Sequence, residues 1–262
     1  MIKLSKSIIP VLMACIIVIS SCKKSDSNPA AQRTLEDVEK DFNALDLSPG
    51  IHDFSLEILN GVKYDFRVIV PVRAPGEKRP MILALHGASG GNAEAYKATA
   101  CYVEPGLANL NAFIISPYGG NGLWYESYFQ QEISYLMYLA KKYWPIEQNK
   151  IAVTGYSNGG NGSWLFAETM HTTFSASIPM ASSYNILNPD NSGRKINIPM
   201  YVIHGQNDEL FPVAQTQAWV QASINAGSNI TFVIAPGLTH YKPCDYTPYL
   251  QQAANWLKNT IW

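Results

Sequence analysis

Six short apolar runs punctuate the chain: MILALH (81–86), AFIIS (112–116), KIAVT (150–154), FSASIPM (174–180), MYVIH (200–204) and ITFVIA (230–235). Runs of this length, bounded by polar turns, suit strands buried on both faces. Helical patterns lie between many of them. Residues 126–144 place Phe129, Ile133, Leu136, Met137, Leu139 and Ala140 at helical spacing. Residues 212–227 open with Pro212 and close with Gly227, as a helix does, and residues 247–262 form a last helix. Strands alternating with helices predict an α/β fold with a mostly parallel, doubly wound sheet. The first strands differ. Residues 52–70 read as an antiparallel hairpin in which Phe54, Leu56 and Ile58 alternate. Asn60-Gly61 predicts a two-residue turn there, and Phe66, Ile69 and Val70 lead the second strand to Pro71.

The 262 residues are 47% hydrophobic, enough for one sizeable core and one domain. The net charge of -1 provides no basic field, which argues against nucleic acid as a partner. No internal repeat is visible.

The first residues read as an export signal. Lys3 and Lys6 precede an apolar run from Ile8 to Ile19, broken only by Pro10 and too short to span a bilayer. Small residues then lead to Cys22, in ISSCKK, which resembles the lipobox of bacterial lipoproteins. LMAC, ending at Cys15, is a second match that would cut the apolar run short, so Cys22 is the favoured lipidation site. An ordinary secretory signal is the alternative. Residues 1–22 are thus expected to be a signal peptide ending at the lipobox cysteine, and 23–48 a polar tether with a short surface helix. Residues 49–262 would form the folded domain. The lipid anchor would hold the exported protein on a membrane, facing the periplasm or the cell surface. Cys101 and Cys244 remain in the body, either as a disulfide, which an oxidising compartment permits, or as two buried thiols.

The strand KIAVT runs into GYSNGGNGSW and then into a helical pattern. Each interior glycine costs a helix about 1 kcal/mol relative to alanine, so four of them demand a reason. Gly155-Tyr156-Ser157-Asn158-Gly159 fits G-x-S-x-G between strand and helix. A serine at so sharp a turn adopts strained angles, and its neighbours two residues away must lack bulk. The hydroxyl then stands above the sheet at a helix N-terminus. Gly160 and Gly162 let the helix lie close to neighbouring strands.

A serine nucleophile needs a base, and the base a carboxylate. In this fold the chain order is serine, acid, histidine. Asp208, in HGQNDELFP beyond the strand MYVIH, is the expected acid, with adjacent Glu209 as runner-up. His240 is the one histidine that follows it. His86 and His204 end strands and suit structural roles, while His52 and His171 need no catalytic one. Asp190 reads as turn chemistry, and Asp245 follows His240 and breaks the order. Oxyanion donors are expected at the backbone N–H of Asn158, and of Ala88 in LHGASGGN.

Together LHGASGG, GYSNGG, HGQNDELFP and GLTH resemble the α/β-hydrolase superfamily, over roughly residues 62–262. Within it they are similar to compact secreted esterases of the polyhydroxybutyrate-depolymerase, feruloyl-esterase and dienelactone-hydrolase-like groups. The resemblance implies hydrolysis of a carboxylic ester through an acyl-enzyme by Ser157, Asp208 and His240, with no cofactor or metal. Tyr118, Trp124 and Tyr125 are expected to form an aromatic wall suited to sugar rings or phenolic acyl groups, with Tyr184 and Tyr241 as further candidates. About twenty residues separate Met180 from Met200, too few for a large lid, which points to an open site. The expected substrates are therefore small or polysaccharide-linked esters of acetyl, feruloyl or hydroxyalkanoate type. A peptidase of prolyl-oligopeptidase type and a non-catalytic binding lipoprotein on the same scaffold are the competing readings.

Overall fold

The computed structural model describes residues 33–262. The expected signal peptide, the lipidation site Cys22 and the first part of the tether lie outside the described residues. Eight strands form one sheet: β1 (Gly50–Glu57), β2 (Lys63–Val70), β3 (Arg79–Leu85), β4 (Phe113–Pro117), β5 (Ile146–Tyr156), β6 (Ala176–Met180), β7 (Met200–Gly205) and β8 (Ile230–Ala235). Their order is β1-β2-β4-β3-β5-β6-β7-β8. The β1–β2 and β2–β4 pairs are antiparallel, and every later pair is parallel. This is the α/β-hydrolase architecture, with its antiparallel hairpin on an otherwise parallel sheet.

The helices are α1 (Leu35–Asn43), α2 (Ala100–Leu107), α3 (Ser127–Tyr143), α4 (Asn158–Thr169), α5 (Val213–Asn225) and α6 (Thr247–Trp256). They cover both faces because successive strand residues point to opposite sides. Met81, Leu83 and Leu85 pack in one core with α1, α3, α4 and α5. Ile82 and Ala84 pack in the other with α2 and α6. All six residues picked out on α3 by their spacing are buried.

Three features depart from the sequence expectations. The hairpin turn is not two residues long: Glu57 pairs with Lys63, and a short 3-10 turn over Leu59–Gly61 joins the strands. Gly61 takes a left-handed φ of 73° there, which glycine adopts without steric cost. The second strand itself runs as expected through Phe66, Ile69 and Val70 up to Pro71, burying Tyr64, Phe66, Val68 and Val70 and half-burying Ile69. β8 is an edge strand, so its residues Ile230–Ile234 remain partly exposed rather than covered on both faces. Finally, the expected surface helix belongs to the folded body. Thr34 caps α1 through a reciprocal pair with Asp37, and Val38 and Phe42 are fully buried. Phe42 stacks on Trp144 at 5.1 Å, and Glu39 accepts hydrogen bonds from Tyr143 and Lys142. Among the described residues, 33–48 thus belong to the same compact unit as 49–262.

Helix α2 was not anticipated, because Pro105 and Gly106 interrupt its helical pattern. It packs against α6 so closely that a side chain at Gly106 would meet Leu250 Cδ2 at 2.7 Å. Cys101 on α2 and Cys244 just before α6 are joined as a disulfide across 143 residues of sequence. Closing a loop of that length stabilises a fold by up to about 5 kcal/mol in the chain-entropy model. Cys244→Ser is expected to lower the thermal unfolding midpoint by on the order of 10 °C. Calorimetry with and without reductant checks this: the wild type should shift under reductant and the variant should not.

Candidate active site

Ser157 follows β5 directly and precedes α4. Its backbone sits at φ 56° and ψ -117°, outside the regions that L residues favour. The strain is possible only because both flanking glycines lack side chains. A Cβ on Gly155 would lie 2.3 Å from Gly159 O, and one on Gly159 would lie 2.1 Å from Leu85 O. Gly160 likewise lets α4 approach Met180 O, at 2.5 Å from a would-be Cβ. The glycines that burden the helix are what the turn requires.

The loops after β7 and β8 meet this turn. Asn207 N–H donates to Leu238 O, and Gln206 N–H to Ala235 O, locking the two loops together. His240 Nε2 lies 2.9 Å from Ser157 Oγ. His240 Nδ1 lies 2.9 Å from Asp208 Oδ2 and 3.1 Å from Oδ1. Asp208 Oδ1 also accepts from the N–H groups of Leu210 and Phe211, at 3.0 and 2.7 Å. The Asp208 side chain is wholly buried. Burial works to raise its pKa, but the hydrogen bonds from His240 and Phe211 and the nearby imidazoles hold it below the ordinary carboxyl value. An ionised Asp208 fixes His240 with Nδ1 protonated and Nε2 free to accept the serine proton. The arrangement can thus turn a hydroxyl into a nucleophile.

Glu209, the runner-up acid, does not touch the imidazole. Its Oε2 accepts the main-chain N–H of His240 at 2.8 Å, while Tyr156 Oη donates to the His240 carbonyl. The His240 backbone is held from both ends. This support was not legible in the sequence, since Tyr156 occupies a variable position of the pentapeptide.

The N–H groups expected to receive an oxyanion are unengaged: neither Asn158 nor Ala88 donates its backbone hydrogen to an acceptor among the described residues. Asn158 is the first residue of α4, where no intrahelical acceptor exists. Ala88 and Ser157 line the same cavity, of about 350 Å³. The cavity is also walled by Ala98, Tyr102, Leu210 and Pro243.

The aromatic wall is different from the expected one. Trp124 is 1% exposed, and its Nε1 donates to His86 O at 3.0 Å. It is a support beneath the Ala88 turn, and its ring cannot reach a substrate. Tyr118 stacks on His86 at 6.1 Å, Tyr125 is exposed, and neither lines the cavity. Tyr184 stacks on Trp164 and donates to Glu168 at 2.6 Å. Of the tyrosines singled out, Tyr241 alone lines the cavity, together with Tyr102 and Tyr156, which sequence reasoning missed as wall residues. Tyr102 lies on the helix that Pro105 and Gly106 concealed.

The other acids and histidines have local roles. Asp190 Oδ1 accepts from Ser192 N–H and Oγ in a turn. His86 Nε2 accepts from Gly119 N–H at 2.9 Å, and its Nδ1 faces Gly87 O. His204 Nε2 faces Phe211 O at 2.8 Å. Arg194 and Glu168 pin the connection between β6 and β7 through bonds of 2.6 and 3.2 Å, and the one ladder element there is a bridge between Leu187 and Gly193. Among the described residues no group of three or more His, Cys, Asp or Glu is placed to hold a metal ion.

Burial lowers the pKa of His86 and His204 below 6.5, against the opposing effect of the carbonyls they face. Below that pH the unfolded chain takes up protons that the folded chain cannot. Their contribution is therefore complete above about pH 6.5 and declines as pH falls toward the folded values. Urea unfolding at pH 7.5 and 5.5 should give a lower midpoint at 5.5; equal midpoints would contradict the buried neutral imidazoles.

Comparison with known proteins bears on this geometry. No curated protein matches the sequence. Among solved structures, a thermostable esterase aligns with a TM-score of 0.61 at 22% identity, over 79% of this chain and 62% of that one. The chain thus spans less than two thirds of that esterase. Esterase 2 of Thermogutta terrifontis, in a form phosphorylated by paraoxon, aligns with a TM-score of 0.61 at 16% identity, over 80% of this chain and 94% of that one. Est1E from Butyrivibrio proteoclasticus aligns with a TM-score of 0.59 at 19% identity, over 79% and 98%. At these identities the likeness is one of fold. The profile of the dienelactone hydrolase family matches residues 127–259, just over half of the chain, and takes in Ser157, Asp208 and His240. The chain belongs to the dienelactone hydrolase family.

Proposed function

We propose that the protein is a serine hydrolase that cleaves carboxylic esters through an acyl-enzyme, on small or carbohydrate-linked esters of acetyl, feruloyl or hydroxyalkanoate type. The observation that carries this reading is the unbroken chain from Ser157 Oγ through His240 to Asp208, each contact 2.9 Å, opening on one cavity. Membership of the dienelactone hydrolase family supports it, as do structural neighbours named as esterases.

In this mechanism Ser157 Oγ attacks the ester carbonyl while its proton passes to His240 Nε2. Asp208 stabilises the imidazolium. The N–H groups of Asn158 and Ala88 bind the oxyanion, aided by the positive end of α4. His240 then returns the proton to the departing alcohol, leaving Ser157 acylated. Water, deprotonated by His240, releases the acid and restores the serine. No residue of the connection between β6 and β7 lines the cavity, which favours small or solvent-borne esters over a lid-gated lipid substrate.

Paraoxon is expected to phosphorylate Ser157 in the folded protein, as read by mass spectrometry of the modified peptide. Ser157→Ala should lower kcat/KM on p-nitrophenyl acetate by on the order of 10⁴-fold or more. An unlabelled serine would favour a binding lipoprotein, and peptide-amide cleavage at a rate matching esters would favour a peptidase.

Export as a lipoprotein through Cys22 extends the reading, on the strength of the charged start, apolar run and lipobox alone. In a bacterial host, Cys22→Ser should move the protein from the detergent-extracted membrane fraction to the soluble fraction. An unchanged distribution would remove the anchor.

A further inference from the structure

The cavity beside Ser157 has few polar side chains in its wall, and most are engaged. His86 has Nε2 occupied by Gly119 N–H and Nδ1 facing Gly87 O. The Tyr156 hydroxyl donates to His240 O. Ser157 and His240 are bound to each other. Tyr241 is 69% exposed, so its hydroxyl meets bulk water. Ala98, Leu210 and Pro243 supply apolar surface.

Tyr102 is the exception. The residue is only 2% exposed and lines the cavity. Its hydroxyl has no hydrogen-bond partner among the described residues, yet, unlike those of Tyr64 and Tyr135, its oxygen is not sealed away. The cavity is the space that its side chain borders. The ring is held in place, tilted against Tyr156 at 6.0 Å between centroids. The neighbouring Cys101 is bonded to Cys244, next to the wall residue Pro243. The phenol is therefore a fixed, largely buried hydrogen-bonding group at the cavity wall, with no protein partner among the described residues.

We propose that the Tyr102 hydroxyl is the specificity-determining group of this site, and that the preferred esters carry a hydroxyl on the portion seated in the cavity. The inference rests on the ester-hydrolase reading above. Its physical basis is the cost of an unmade bond. An apolar acyl group filling the cavity displaces water from Tyr102 and offers nothing in return, whereas a hydroxylated one restores the bond. A site built around a buried polar group discriminates more strongly against the analogue lacking its partner than an apolar pocket does against one methylene. Burial pushes the Tyr102 pKa up, so the phenol stays protonated and can both donate and accept.

Two matched pairs of methyl esters test this: butyrate with 3-hydroxybutyrate, and 3-phenylpropanoate with 3-(4-hydroxyphenyl)propanoate. Acid release followed by pH-stat gives kcat/KM for each. In the wild type, at least one hydroxylated member should exceed its partner by about tenfold or more. In Tyr102→Phe that ratio should collapse to within about threefold of one. Equal rates within both wild-type pairs would overturn the proposal without touching the ester-hydrolase reading, and this arm needs no variant. So would a preference that survives in a Tyr102→Phe protein with the wild-type melting temperature. Failure to cleave any of the four, with no paraoxon labelling of Ser157, would instead overturn the ester-hydrolase reading and the proposal with it.

Discussion

The left-handed backbone of Ser157 is the constraint around which the rest of the molecule is arranged. A serine at φ 56° is held there against its own preference, and the restraint comes from both sides of the turn. β5 fixes the residues before it, pairing Gly155 with Leu85 on one side and with Pro179 on the other. α4 fixes the residues after it, and Ser157 N–H is tied to Met180 O at 3.0 Å. A turn this tight needs central strands that cannot shift, and a sheet covered by helices on both faces supplies them. The same strain lifts the serine hydroxyl clear of the sheet, and the first N–H of α4 is left without an acceptor among the described residues.

Everything else in the site is positioned by loops that leave the same edge of the sheet. The β7 and β8 loops are tied to each other by main-chain bonds before they present Asp208 and His240. His240 is then set by three independent holds: Asp208 on its ring, Glu209 on its main-chain N–H and Tyr156 on its main-chain carbonyl. On the other side, Trp124 and Gly119 engage His86 and so steady the turn that carries Ala88. Preorganisation of this kind removes motions that would otherwise have to be frozen during reaction. The disulfide between Cys101 and Cys244 adds a covalent link between two walls of the cavity.

Local chemistry made some of this readable in advance. The G-x-S-x-G turn announces itself because glycines are costly in a helix and necessary in an elbow. Asp208 and His240 follow from the strand ends and from chain order. Strands flanked by polar turns, and α3 with its buried face, follow from periodicity. The aromatic wall was misplaced because exposure of an aromatic side chain depends on what packs over it. Trp124, close in sequence to the site loops, is buried under Gly119 and Gly162, whereas Tyr102 lies in a helix whose Pro105 obscured it. The hairpin turn and the edge position of β8 were missed for a related reason: pairing register and strand order are long-range properties.

By itself, the sequence determined the fold class, the elbow at Ser157 and the acid and histidine that face it. Those features rest on interactions within a few residues or on the order of motifs along the chain. Only the tertiary structure decided that α1 docks on the core, that Cys101 and Cys244 are bonded, that Glu209 holds the His240 backbone, and that Tyr102 faces the cavity. Each of these joins residues far apart in sequence, and such pairings are set by how the sheet and its helices pack.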